Sequence, residues 1–341
     1  MTSFVLRFLF CLLCRSFSFL FYFFFLGSEP HILAQISLVG LATYLHVLVF
    51  LIIAEFIHII GAVSLKCGFF TSVSRRITGN RHVFIFVSLF CALLFILGGI
   101  FTAFSDPVYT YISVPLKKLR NDELHTIVRL TNDLNPDIIA ISGDLADGFV
   151  KHFGKAASPL CFLSAKHGVY FATGNHEYMH GNVEEWFSFL ETCNITVLHN
   201  SQRRFTLKNG DNICVAGADD LYAAKAHFPG HAMDVKKAVD GCKVDDVIIM
   251  LAHQPNAAGI MLKDAGVNKK LDIILSGHTH GGQMYLFVPI IYMVNAFARG
   301  LYYYAATGTY VYVSAGVNYF GPPIKMFGAC EIIDITLKPA I

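Results

Sequence analysis

Polar side chains that can bind metal ions follow four short apolar runs in the second half of the chain. These runs are Asp137–Ile141, Gly168–Ala172, Val247–Leu251 and Leu271–Leu275. The segments that follow them supply one carboxylate, one amide and four imidazoles: Asp144, Asn175, His176, His253, His278 and His280. In open α/β sheets, sites form at the carboxyl ends of the strands. The sequence therefore predicts that these side chains meet in one crevice.

The chemical types in this set favour a metal centre. Imidazole, carboxylate and amide oxygen suit borderline divalent ions such as Zn, Fe or Mn. No thiolate is included, which argues against a structural zinc site. The glycines that precede Asp144, Asn175 and His278 permit sharp turns without a Cβ penalty.

Each motif alone also has an ordinary structural explanation. A single Gly-Asp is usually a turn, and a single histidine such as His253 is usually a hydrogen-bonded core residue. The pair His278-x-His280 after a strand is harder to explain by packing. The four motifs in this order, each after a predicted strand, favour the metal-site hypothesis.

This series resembles the calcineurin-like metallophosphoesterase superfamily, whose motifs run Asp-x-His, Gly-Asp, Gly-Asn-His-Asp/Glu, His and Gly-His-x-His. The likeness is greatest to its membrane-anchored branch and covers about Val114 to Ile335. It extends to Gly217-Ala-Asp-Asp220, His253-Gln-Pro255 and the segment from Ser314 to Pro323. The resemblance implies an α/β fold, a metallophosphoesterase-type sheet sandwich flanked by helices.

The resemblance also implies how the metal ligands are shared between two divalent ions. Asp144 would bridge both ions. Asn175, His253 and His278 would complete the second ion together with Asp144. His280 would bind the first ion.

The remaining implied roles concern the reaction with a phosphoester substrate. His176 would face the scissile phosphate as the catalytic residue and assist the leaving group, while Glu177 would orient its ring. A hydroxide activated by the metal ions would attack phosphorus in line. Which phosphoester is the substrate is not evident from the sequence.

The chain departs from the family pattern at the first motif. No Asp-x-His occurs anywhere in the sequence. Val114–Leu119 passes directly to Arg120–Val128, which we predict to be the helix before the Asp144 strand. Glu123-Leu124-His125 has a similar spacing, but it lies in that helix rather than after a strand. The Val108–Val114 run could fill the place of the missing strand without supplying a ligand.

The missing motif leaves two functional hypotheses. The first ion keeps only Asp144 and His280, whereas the second keeps all four protein ligands. We therefore expect a membrane-anchored, metal-dependent phosphoester hydrolase that has ligands for one ion where the family binds two. The alternative is a catalytically impaired pseudoenzyme or isoform with a binding or regulatory role.

The first third of the chain has the composition of a membrane region. Of the 341 residues, 55% are hydrophobic and 15% are charged, and the apolar excess lies before residue 105. About three transmembrane helices are predicted, at Phe4–Leu26, near Ile36–Ile60 and near Val83–Phe104. The predicted domains are a membrane region at 1–105 and a phosphoesterase domain at 106–341. Glu55, near the end of the second stretch, either reaches the interface or has a function there.

Charge in the loops predicts the orientation of this multi-pass chain in the lipid bilayer. Lys66, Arg75, Arg76 and Arg81 lie between the second and third stretches, so the positive-inside rule places that loop in the cytoplasm. The phosphoesterase domain would then be lumenal or extracellular, which fits the sequon at Asn194. Basic residues just after the third stretch argue against this orientation.

Net charge and cysteine usage argue against a nucleic-acid-binding protein and against a small domain held together by disulfides. A net charge of +2 without a Lys/Arg-rich run gives no evident nucleic-acid-binding surface. Five of the nine cysteines lie after residue 105, an odd number without metal-ligand spacing. The pattern does not indicate a disulfide framework, although it leaves room for one or two bridges.

Overall fold

The computed structural model describes residues 32–104, 108–109, 123–145, 147–179, 183–268, 270–325 and 330–338. Within these ranges the chain divides into two compact units. The first unit contains residues 32–104, 284–286 and 319–325, and the second contains the other described residues.

The elements alternate between helices and strands beyond residue 105. The helices are α1 Ile32–Lys66, α2 Thr71–Gly79, α3 Arg81–Ala103, α4 Glu123–Asp133, α5 Val150–Ala157, α6 Asn175–Met179, α7 Val183–Thr192, α8 Ala223–Ala226, α9 Val235–Ala238, α10 Pro255–Met261 and α11 Val288–Val294. The strands are β1 Val108–Tyr109, β2 Ile139–Ser142, β3 Val169–Ala172, β4 Ile195–Val197, β5 Ser201–Thr206, β6 Asn212–Gly217, β7 Val247–Leu251, β8 Ile273–Ser276, β9 Gly300–Tyr304, β10 Thr309–Val313 and β11 Glu331–Ile332.

Two helices of the first unit are long and apolar enough to cross a bilayer. The segments are Leu38–Lys66 of α1, with mean hydropathy 2.4, and the whole of α3, with mean hydropathy 2.8. Large apolar side chains such as Phe56 and Phe86 are exposed on them, as expected for helices that face lipid rather than a protein core. These two apolar helices cover two of the three stretches predicted to cross the membrane, and the Phe4–Leu26 stretch lies outside the described residues.

Polar side chains within α1 have partners inside the first unit. The His46 ring contacts the Ala42 carbonyl through Nδ1 at 2.8 Å. The Glu55 carboxylate accepts a hydrogen bond of 2.7 Å from Arg81, the first residue of α3. Glu55 therefore joins the two long helices through an ion pair. It does not lie near the helix end as predicted, because α1 continues to Lys66.

The second unit is built on two sheets and one short strand pair. The larger sheet has the strand order β5-β6-β7-β8-β10-β9, and the smaller has the order β2-β3-β4. β6, β7, β8 and β10 run parallel, as do all three strands of the smaller sheet. Only the outer strands β5 and β9 are antiparallel to their neighbours. Of these parallel strands, β3 and β7 are apolar and buried on both faces along almost their whole length.

Alternate side chains of the strands form separate layers of core. Tyr170 and Ala172 of the smaller sheet pack with Val215 and Ile249 of the larger sheet, so the two sheets lie face to face. The other face of the larger sheet packs against α9 and α10, and the other face of the smaller sheet packs against α6 and α7. These mixed α/β sheets with flanking helices fit a metallophosphoesterase fold.

The position of β1 differs from the one that the sequence suggested for the Val108–Val114 run. Val108 and Tyr109 pair in parallel with Glu331 and Ile332 of β11, not with β2. Within the described ranges β2 has one strand neighbour, β3, and its other edge has none. Residues 110–122, where the missing motif would lie, are outside the described residues.

The buried Phe171 side chain offers a test of this core. It lies in β3 with 0% exposure, so Phe171→Ala should lower the free energy of unfolding by about 3–5 kcal/mol. Phe162→Ala is the matched control, because Phe162 is 65% exposed and its loss should cost about 0.5 kcal/mol or less. Urea unfolding of the full chain in detergent can be followed by fluorescence, since Trp186 is the single tryptophan and is buried in this unit. Equal costs for the two variants would contradict the layered core.

Candidate metal centre

The carboxyl ends of β2, β3, β7 and β8 bring their loops together across the two sheets. Ser142 at the end of β2 donates a side-chain hydrogen bond of 2.9 Å to the carbonyl of Leu275 in β8. The Ser142 carbonyl in turn lies 2.6 Å from Nδ1 of His253, which follows β7. The strand ends that carry the predicted ligands are therefore tied together by hydrogen bonds.

Two glycines allow the first two loops to touch. Gly143 has a φ of 77°, and a Cβ at this position would overlap the backbone of Gly174 and the ring of His253. A Cβ on Gly174 would overlap the backbone and carboxylate of Asp144. Asp144 itself is in the left-handed region, with a φ of 54°. The Gly-Asp and Gly-Asn-His motifs are thus explained by the close approach of two loops.

Three of the predicted ligand residues converge on one point. Oδ2 of Asp144 lies 2.8 Å from Nε2 of His253. The same Nε2 lies 3.2 Å from Nδ1 of His278. One ligand atom from each of the three residues lies within 4.8 Å of the others, a spacing that can hold a metal ion.

The buried His253 ring is oriented as metal-binding histidines are. Its Nδ1 faces the Ser142 carbonyl, which accepts but cannot donate, so Nδ1 carries a proton. Nε2 is therefore the atom that can bind a metal ion, and it faces Asp144 and His278. A backbone carbonyl on the far ring nitrogen is a common outer contact of metal-binding histidines.

Asn175 supplies an independent observation that the donor set fits a cation. The residue is 5% exposed, and its Oδ1 has no hydrogen-bond partner among the described residues. A buried amide oxygen without a partner costs free energy, and coordination to a cation would satisfy it. Asp144, Asn175, His253 and His278 together offer two oxygen and two nitrogen donors.

The electrostatics of the centre concentrate negative charge on Asp144. Burial opposes its ionisation, but the charges of His253 and His176 outweigh burial and hold the pKa of Asp144 below its ordinary value. Burial also favours a neutral His253 ring, yet Asp144 raises its pKa to about 9. Burial and the neighbouring His253 lower the pKa of His278 to about 4. The buried carboxylate thus requires a positive charge beside it. His278 is neutral, as a ligand must be, whereas His253 must give up its Nε2 proton when an ion takes over the positive charge.

The Glu177 carboxylate binds the backbone of the two ligand loops. It is buried and accepts backbone hydrogen bonds from Asp144, Leu145 and Gly174, at 3.0, 2.7 and 2.7 Å. The Asp147 carboxylate lies 3.0 Å from Nδ1 of the His176 ring. Glu177 therefore fixes the two loops that carry Asp144 and Asn175, because its oxygens face backbone N–H groups.

The structure does not bring every predicted residue into the cluster. His280 begins a short 3₁₀ turn, and its Nδ1 lies 3.3 Å from the carbonyl of Asn318. It is not among the clustered donors, although it lies only two residues after His278. His125 lies on the exposed surface of α4 beside Phe162, so the Glu123-Leu-His125 sequence lies in a helix, as predicted.

Comparison with known families identifies this arrangement. A family model described as calcineurin-like phosphoesterase matches residues 100–282 of the chain. The chain belongs to the calcineurin-like phosphoesterase family.

Relatives of this phosphoesterase carry names of the same family. A Caenorhabditis elegans protein that bears a metallophosphoesterase name is 52% identical over 93% of this chain and 70% of its own length. A Danio rerio protein named transmembrane protein with metallophosphoesterase domain is 34% identical over 95% of this chain and 78% of its own length. An uncharacterised metallophosphoesterase of Helicobacter pylori is 34% identical over 65% of this chain and 56% of its own length.

The matched regions of two relatives are longer than the part of this chain that they cover. The C. elegans match runs over 338 positions, but 93% of the 341 residues is about 317, so about 20 positions face no residue of this chain. The D. rerio match, at 346 positions and 95% of the chain, gives a similar difference. Both relatives therefore have additional residues within the matched region.

Sequence reasoning missed Asp147, the carboxylate on the His176 ring. The sequence contains a weak signal for it, since Asp147 follows Asp144 by three residues in the same loop. Only the structure shows that this loop turns back to His176.

The disulfides were also not expected as a framework, yet Cys161 is bonded to Cys193 and Cys214 to Cys242.

Replacement of Gly174 tests whether the loop contact builds the metal centre. Gly174→Ala should weaken Mn²⁺ binding at least tenfold, because the added Cβ must displace Asp144. Gly277→Ala is the matched control: it also follows a strand and precedes a ligand, but its Cβ would make only ordinary contacts of 3.7 Å or more. Titration of the full chain followed by Mn²⁺ electron paramagnetic resonance measures both. Unchanged Mn²⁺ affinity in Gly174→Ala would contradict the geometry.

Proposed function

We propose that this phosphoesterase is a membrane-anchored, metal-dependent phosphoester hydrolase. The observation that carries the proposal is the convergence of Asp144, His253 and His278 from three strand ends. The buried Oδ1 of Asn175, which has no hydrogen-bond partner among the described residues, adds to it. Divalent ions such as Mn, Fe or Zn suit this mixed oxygen and nitrogen donor set. The family and the names of the relatives support a phosphoester as the substrate class.

The residues of the centre have distinct parts in this proposal. A bound divalent ion would supply positive charge to a phosphoryl oxygen and lower the pKa of a water molecule. Asp144, Asn175, His253 and His278 would hold that ion. Nδ1 of His176 contacts the Asp147 carboxylate. This negative charge favours the protonated form of the His176 ring, which could donate a proton to the leaving group.

The number of ions distinguishes this chain from its family in our proposal. The four residues Asp144, Asn175, His253 and His278 supply enough ligands for one ion. A second ion would have only His280 and a shared Asp144 among the predicted ligands, too few for tight binding. This difference favours a second candidate function, a catalytically impaired form that binds one ion and acts through binding or regulation.

Hydrolysis of p-nitrophenyl phosphate and bis-p-nitrophenyl phosphate tests the proposed function. With Mn²⁺, the full chain should hydrolyse at least one of them, and His253→Ala should lower kcat/KM at least about 100-fold, since the charge of the metal contributes several kcal/mol. His152→Ala is the control, because His152 is exposed on α5. Asp147→Asn should lower kcat more than it changes KM.

The two candidate functions give opposite results in this assay. Absence of hydrolysis by the unmodified chain, at Mn²⁺ concentrations that saturate the centre, would contradict the hydrolase and support the impaired form. Activity that survives His253→Ala would contradict the assignment of the centre.

We further propose that the second unit of the chain, called the phosphoesterase unit from here on, lies on the lumenal or extracellular side of its membrane. The basic loop residues between α1 and α3 support this side through the positive-inside rule. The disulfides Cys161–Cys193 and Cys214–Cys242 support it independently, because disulfides persist in oxidising compartments. Asn194, the acceptor of the single Asn-x-Ser/Thr sequon in the chain, is exposed.

Glycosylation of Asn194 reports the side of the membrane. The full chain expressed in a eukaryotic cell should lose apparent mass on glycosidase treatment, and Asn194→Gln should abolish that loss. Thr196→Ser is the matched control, because it changes the same segment and retains the sequon. Digestion of the phosphoesterase unit by protease added to the cytoplasmic face of sealed vesicles would contradict the proposed side.

A further inference from the structure

A second group of metal-ligand side chains lies in the phosphoesterase unit and shares no residue with the first. It consists of His199 after β4, Asp219 after β6 and His231 in the loop before α9. One ligand atom from each lies within 4.8 Å of the others. The rings of His199 and His231 lie 4.4 Å apart between centroids. We call these three residues the His199 cluster.

The Asp219 carboxylate is buried, and only one of its two oxygens has a hydrogen-bond partner among the described residues. The residue is 1% exposed. Its Oδ1 lies 2.7 Å from Nδ1 of His199. Its Oδ2 has no hydrogen-bond partner among the described residues and lies 3.8 Å from Nδ1 of His231. A buried carboxylate oxygen left in this way is costly unless a cation is beside it.

The His231 ring is held as a ligand to a cation would be. Its Nε2 lies 2.8 Å from the carboxylate of Glu184 on α7, which only accepts, so Nε2 carries a proton. The opposite nitrogen, Nδ1, faces Oδ2 of Asp219 and lies 3.1 Å from the Tyr178 hydroxyl. A carboxylate on the far nitrogen is the usual outer contact of metal-binding histidines.

The surroundings give an ion a route to the cluster. An open hollow of about 270 Å³ is lined by Asn200, Gly230, His231, Ala232, Asp234 and Lys237. His199 is itself partly exposed, with 31% of its side chain accessible. One acidic and one basic residue, Asp234 and Lys237, line the hollow.

From these contacts we infer that the His199 cluster is a second binding site, for a divalent first-row transition ion such as Zn²⁺ or Co²⁺. Two imidazoles and one carboxylate suit such ions and leave a coordination position open to water. Tyr178 lies on α6, the helix that begins at Asn175, and Asp219 precedes Asp220, which accepts a hydrogen bond of 2.7 Å from Gln254 next to His253. An ion here would therefore brace the loops behind the first centre.

The test is the number of Co²⁺ ions that the full chain binds, measured by equilibrium dialysis and by visible d–d absorbance. His199→Gln should remove one ion, or lower the affinity for it at least tenfold, and remove its part of the absorbance. His152→Gln is the matched control, because it removes an exposed imidazole outside both groups. Since the count falls by one whatever the Asp144 centre holds, the outcome does not depend on the proposed hydrolase function.

A second variant keeps the test decisive. Asp219→Asn should remove the same ion while Trp186 fluorescence reports that the unit remains folded. Equal Co²⁺ counts and affinities in the unmodified chain and in His199→Gln would overturn the second site. That result would leave His231 as a structural residue whose ring contacts Tyr178 and Glu184.

Discussion

The buried carboxylate of Asp144 is the feature on which the rest of the site depends. It lies where the ends of two sheets meet, and its Oδ2 is 2.8 Å from the His253 ring while its Oδ1 accepts the backbone N–H of His176. Burial alone would keep this carboxyl neutral, but the charges around it hold its pKa below the ordinary value. A negative charge is therefore fixed where the imidazoles of two other strand ends arrive.

A second buried carboxylate makes that position possible. Glu177 accepts three backbone N–H groups from the loops after β2 and β3, and these bonds hold the Asp144 loop in its left-handed conformation. Burial and the charge of Asp144 both raise the pKa of Glu177. Two acidic side chains so close together favour a cation between the strand ends, which links the architecture of the loops to metal chemistry. Gly143 and Gly174 complete the arrangement because a side chain at either position would separate the loops.

The sequence predicted the parts of this centre that depend on strand ends. A strand followed at once by a polar ligand is a local pattern, so Asp144, His253 and His278 could be placed before the structure was known. Their loops come together because parallel strands share an edge. The two sheets and the flanking helices agree with the predicted sandwich, and the long apolar helices α1 and α3 agree with two of the predicted membrane stretches.

What the sequence did not predict depends on contacts between distant segments. Asp147 reaches His176 only because the loop after β2 folds back, and the ligand-like group of His199, Asp219 and His231 comes from three loops without a motif spacing. The disulfides pair cysteines 32 and 28 residues apart, which no spacing rule indicates. The backbone hydrogen bonds of Glu177 were also not predicted, since a sequence does not show which N–H groups a buried carboxylate faces.

The central claim is that Asp144 and its neighbours coordinate a divalent ion, and diffraction tests it most directly. Crystals of the full chain grown with Mn²⁺ should show an anomalous difference peak in contact with Asp144, Asn175, His253 and His278. The Asp144–His253 contact of 2.8 Å should then be replaced by two bonds to the ion. Crystals with saturating Mn²⁺ that show no peak at this position, and retain the direct contact between Asp144 and His253, would contradict the account.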